Sequence, residues 1–135
     1  MTDVEVLLAQ LRAGSAVELA NQAAEALATA GVSISALVDR DGYDTATLWW
    51  AAGTLSEADA ALLPHTSTDL PDPPTDEGGL ANDPEQLINL LGTVADALAR
   101  AARDVDEPDH IYALARAGIL ARQARDAFVN AKVAA

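Results

Sequence analysis

The chain has 135 residues, no cysteine and a formal net charge of −13. Its length suits one domain around one hydrophobic core. The missing cysteines rule out disulfide staples, thiolate metal sites and cysteine nucleophiles, and the acid excess opposes direct binding to phosphate backbones or membrane surfaces. Half of the residues are apolar, but alanine supplies much of that half and the aromatics are only Tyr43, Trp49, Trp50, Tyr112 and Phe128. Such a composition favours helices that approach one another closely over sheets.

Residues 1–99 carry sixteen acids against Arg12 and Arg40, whereas residues 100–135 carry five acids against six bases. Electrostatics therefore point to a protein partner with a basic surface. No stretch approaches the roughly 18 apolar residues of a membrane span, and no basic region precedes an apolar run at Met1–Glu5, so a cytoplasmic protein is expected. Seven arginines to one lysine, with the alanine excess, suggest a GC-rich bacterial genome.

In chain order, Thr2-x-x-Glu5 has the form of a capping box, and Val4, Leu7, Leu8 and Leu11 recur at the helical period, which predicts a helix over about 3–13 stopped by Gly14. Ser15-x-x-Glu18 repeats the signature and opens a helix over about 16–30, ended by Gly31. The inward face of this helix, Val17, Ala20, Ala24 and Leu27, is mostly small and admits a close neighbour. Ile34, Leu37 and Val38 form a short apolar turn, and Asp41-Gly42 reads as a reverse turn. Leu48–Ala52 predicts a third short helix stopped at Gly53, and Ser56-x-x-Asp59 caps a fourth that runs through Leu62 and Leu63 to Pro64.

Residues 64–83 hold four prolines, a Gly-Gly pair and only two large apolar side chains, which predicts an extended acidic connector serving as a spacer or as a functional arm. Asp83-Pro84-Glu85-Gln86 then places a capping aspartate, a proline at the first helical position and a glutamine in the reciprocal capping place, opening a long helix over about 84–105. Leu87, Leu90, Leu91, Val94, Leu98, Ala101 and Val105 line its dry side, with Asn89, Asp96, Arg100 and Arg103 opposite, and Asp96–Arg100 and Arg100–Asp104 spaced for ion pairs. Pro108 opens a last helix over about 108–132. Its Ile111, Leu114, Ile119, Leu120, Phe128 and Val129 are spread around the circumference, as in a helix central to a bundle or shared with a second copy. The expectation is an all-α single domain, a bundle of about five to six helices. It comprises short helices over 1–63, a connector over 64–83 and a long antiparallel helical hairpin over 84–135, with a homodimer through the last helix.

Several constellations carry potential chemistry. Asp39, Asp41 and Asp44 surround Gly42, but the glycine spacing and the lack of a closing glutamate do not fit a calcium loop. Glu107-Pro108-Asp109-His110 has the Glu-x-x-His spacing of di-iron bundles, yet no matching set of inward carboxylates accompanies it. Gly31–Val38 after an alanine-rich helix resembles the turn and recognition-helix start of helix-turn-helix regulators. That resemblance implies DNA contact, which Asp39-Arg40-Asp41 opposes. With two histidines, one lysine and no phosphate-binding loop or serine elbow, catalysis has no visible machinery, and neither metal nor cofactor is expected.

Trp49-Trp50 is the sharpest feature. Adjacent helical positions point about 100° apart, so one indole can fill the core while the other reaches the rim, or both can serve a core short of large side chains. The candidate partner- or ligand-binding residues are therefore Tyr43, Leu48, Trp49, Trp50, Tyr112 and Phe128. Three functions follow: a non-catalytic interaction module, a bundle enclosing a small apolar ligand, or an acidic regulator that covers the DNA-binding face of a partner.

Overall fold

The computed structural model describes residues 16–38, 42–65 and 83–131, and among them the chain is helical with no strand. Helix α1 spans Ala16–Ala36, α2 Thr45–Leu62, α3 Pro84–Asp104 and α4 Pro108–Ala131, with a 3₁₀ turn at Leu63–His65. Four α-helices are thus seen among the described residues. The helix expected over 3–13, the caps at Thr2 and Ser15, the acids Asp39 and Asp41, and most of the connector lie outside them.

Each helix carries a buried seam spaced alternately by three and four residues. In α1 it is Ala23, Ala26, Ala30 and Ser33, continued by Leu37 in the turn after the helix, and in α2 Leu48, Ala51, Leu55, Ala58 and Leu62. In α3 the seam is Leu87, Leu91, Val94, Leu98 and Ala101, and in α4 Leu114, Ala117, Ala121, Ala124, Phe128 and Ala131. That spacing keeps one narrow stripe facing a neighbour and is the pattern of four-helix bundles, whose helices cross at about 20°. Helix α1 packs on α2 and α3, and α4 packs on α2 and α3, so the four seams close around one core.

Two expected breaks do not occur. Helix α1 continues through Gly31 to Ala36, and the two short helices predicted on either side of Gly53 are one helix, α2. A glycine inside a helix costs about 1 kcal/mol relative to alanine. Burying Ser33 and Ile34 beyond Gly31, and Thr54, Leu55, Ala58 and Leu62 beyond Gly53, outweighs that cost. The start of α3 follows the sequence expectation: Pro84 opens the helix and the Asp83 side chain accepts from the Gln86 backbone N–H at 3.1 Å.

The termini of α2 and α4 are tied where opposite ends meet. The Asp44 N–H donates to the Ala131 carbonyl at 2.8 Å, and the Tyr43 ring stacks on Phe128 with centroids 5.9 Å apart. At the far end Arg116 reaches Glu57 at 3.9 Å, an exposed pair of little energetic weight. Between α3 and α4, Arg122 reaches across to Asp96 at 3.1 Å.

The α3–α4 contact is tight at Gly118, where a Cβ would stand 3.4 Å from both the Ala95 carbonyl oxygen and Leu98 Cβ. Gly118→Ala therefore fits at ordinary van der Waals distance and gains helix propensity. Gly118→Leu drives a branched side chain into the α3 backbone and is expected to cost about 1–3 kcal/mol. Urea denaturation of the two variants beside the parent checks the contrast.

Candidate functional site

The six residues singled out in the sequence divide into three places. Leu48 and Phe128 are core residues with no exposed surface, unlike the rim position that the sequence reading allows for a binding residue. Leu48 heads the α2 seam, and Phe128 is among the largest fully buried side chains, with half-buried Tyr43 packed against it. Tyr43 is thus mainly a lid on the core beside the Asp44–Ala131 hydrogen bond.

Trp49 and Trp50 are 56% and 54% exposed. With Leu48 inside, the next two positions turn about 100° and 200° away from it, which puts both indoles on the outer half of α2. Between them lie Ala46, one turn before, and Gly53, one turn after, both exposed. A Cβ at Gly53 would meet no atom within 4 Å, so the two indoles flank a strip of small residues. Neither tryptophan belongs to a core that Leu, Ala and Phe128 already fill.

The third place is the outward side of α4, where Tyr112 and Ile119 are 67% and 59% exposed. Together with Ala115, Arg116, Leu120 and Gln123 they line a shallow depression of about 370 Å³. Tyr112 sits sixteen residues before Phe128, about 24 Å along the helix axis, whereas the tryptophans follow Tyr43 closely at the Phe128 end of α2. The structure therefore presents two apolar surfaces on different helices, Trp49–Trp50 on α2 and Tyr112–Ile119 on α4. Trp49, Tyr112 and Phe128 do not converge on an enclosed cavity.

A feature the sequence did not disclose lies between α1 and α2. There Leu27, Ala28, Gly31, Val32, Ser35, Ala52, Leu55, Ser56 and Asp59 line a groove of about 380 Å³. The Ser56-x-x-Asp59 spacing suits a helix cap, but both residues lie inside one helix. Burial pushes the Asp59 carboxyl above the usual carboxylate range. No hydrogen bond or ion pair from the described residues reaches it. The signal that could have found it is its place at the helical period after Ala52, Leu55 and Ser56.

A carboxyl whose folded pKa is raised binds its proton more readily in the native state. Stability therefore falls as pH rises from the ordinary carboxylate value to the raised one, and the full penalty remains above it. Asp59→Asn is expected to raise the thermal midpoint at neutral pH, with the gain vanishing below about pH 4. Melting curves of both proteins across that range check the sign.

Glu107 immediately precedes α4 and His110 lies in its first turn, and among the described residues no three potential metal ligands come together. Nor is any described helix long and apolar enough to cross a membrane. No protein-family model, curated protein or solved structure matches the chain.

Proposed function

We propose that this chain is a non-catalytic helical interaction module, an accessory or regulatory protein that docks a protein partner through the Trp49–Trp50 face of α2. The observation that carries the reading is the exposure of both indoles beside a fully buried Leu48. Large aromatic side chains left in water by a core that is complete without them are the usual anchors of protein interfaces. The net charge of −13 favours a partner with a basic surface and makes association fall with rising salt.

The domain in this reading is a single bundle whose C-terminal half is an antiparallel hairpin of α3 and α4. The pairing of Gly92 with Arg125, Asp96 with Arg122, and Ala95 and Leu98 with Gly118 supports it, since one set of numbers falls as the other rises. The outward Tyr112–Ile119 side of α4 serves a second association, a homodimer through that helix. The test of the main reading is affinity capture from the protein's own source at low salt, with Trp50→Ala in parallel. A partner retained by the parent, released by salt and lost from the variant supports it. No retained protein, or equal retention by the variant, overturns it.

A further inference from the structure

We propose that the groove between α1 and α2 is a binding site for a small amphiphilic amine, a molecule with an apolar chain or ring and a single ammonium head. The site is independent of the tryptophan face.

Its walls are apolar. Leu27 and Leu55, both almost wholly buried, form the floor, with Ala28, Val32 and Ala52 alongside. Its volume, about 380 Å³, lies within the range of small-molecule sites, about 300–1,000 Å³. The polar groups are few: the Ser35 and Ser56 hydroxyls and the Asp59 carboxyl, two turns along α2 from Ala52.

Two details argue that the groove is a site for an occupant. Gly31 sits inside α1 with an ordinary backbone, and a Cβ there would meet no atom within 4 Å. Neither a turn nor a close helix contact therefore explains the glycine, and its missing side chain leaves room along the groove it lines. The second detail is Asp59, half-buried with no ion pair or hydrogen bond from the described residues, the costly state of a partly desolvated carboxylate. A ligand that lays an apolar body over Leu27, Val32 and Leu55 and sets a cation against Asp59 relieves that cost. A carboxylate-headed ligand of the same shape meets repulsion, reinforced by the acid excess of the whole chain.

The test uses the full isotope-labelled chain at neutral pH and moderate salt. It is titrated with n-octylammonium, and separately with n-octanol and n-octanoate, while the backbone amide resonances are followed. Octylammonium is expected to give saturable shifts at Gly31, Val32, Leu55 and Asp59, with octanol weaker and octanoate without effect. Asp59→Asn should weaken octylammonium at least about tenfold, the equivalent of one charge-assisted hydrogen bond, while the variant melts no lower than the parent. Gly31→Leu, which fills that room, should abolish the shifts. Asp59→Asn stands as the control should the leucine disturb the helix. Shifts that never saturate, that scatter over the acidic surface, that octanoate reproduces, or that survive Asp59→Asn overturn the proposal.

Discussion

Phe128→Ala is expected to destabilise the chain by about 3–5 kcal/mol, a large part of the 5–15 kcal/mol that holds a domain of this size together. Phe128 has no exposed surface and sits where α4 meets the start of α2, under the Tyr43 ring. Its neighbours in the seams are mainly alanine and leucine, so no larger side chain is at hand to refill the space. The cost of a large-to-small change rises with the cavity that survives relaxation, and short side chains on helices already in close contact relax little. Loss of the ring also strips Tyr43 of its stacking partner beside the Asp44–Ala131 hydrogen bond, so the junction of α2 and α4 should open first. Urea unfolding followed by far-ultraviolet circular dichroism reads the midpoint directly. A loss below about 1 kcal/mol would show that this end of the bundle repacks without the ring.

Much of the bundle was legible because helical periodicity is a property of the sequence itself. The α3 stripe from Leu87 to Ala101 is buried as its spacing requires, and the Asp83-Pro84 start stands where local backbone chemistry puts it. The misplaced boundaries share one cause. Gly31 and Gly53 have the form of helix stops, yet the three-four seam passes both without a gap, from Ala30 to Ser33 and from Ala51 to Leu55. When a glycine's cost of about 1 kcal/mol meets a continuing apolar seam, burial of the next turn wins. Periodicity was the better guide.

The candidate site was less legible because it depends on which elements become neighbours. The spacing of Trp49 and Trp50 places them on different sides of a helix, but only the assembled ring of four shows that the seam through Leu48, Ala51 and Leu55 lies away from both. Phe128 and Tyr112 read alike in a helix apolar on several sides, and packing against α2 and α3 divides them, one inside and one out. The α1–α2 groove needed both helices at once. Nothing local to Gly31 or Asp59 announces that they face the same space.

Replacing Trp49 and Trp50 together by alanine is expected to leave folding nearly unchanged while removing partner binding, and this separation is what distinguishes a docking face from a structural one. Exposed side chains away from the core alter stability by about 0.5 kcal/mol each, and Leu48, Ala51 and Leu55 keep the buried side of α2 intact in the variant. At an interface, in contrast, a tryptophan anchor costs about 2 kcal/mol or more on truncation, so affinity should fall by about 30-fold or beyond. Emission gives a second readout: indoles half in water should fluoresce near the wavelength of free tryptophan, and covering them by a partner should shift the emission to the blue. Salt should weaken the complex through the acidic surface without moving the emission of the free chain. Should the double variant unfold at markedly lower urea than the parent, the indoles support the bundle itself and the docking role passes to the Tyr112–Ile119 side of α4. If instead it folds as the parent does and still retains the partner, α2 takes no part in recognition.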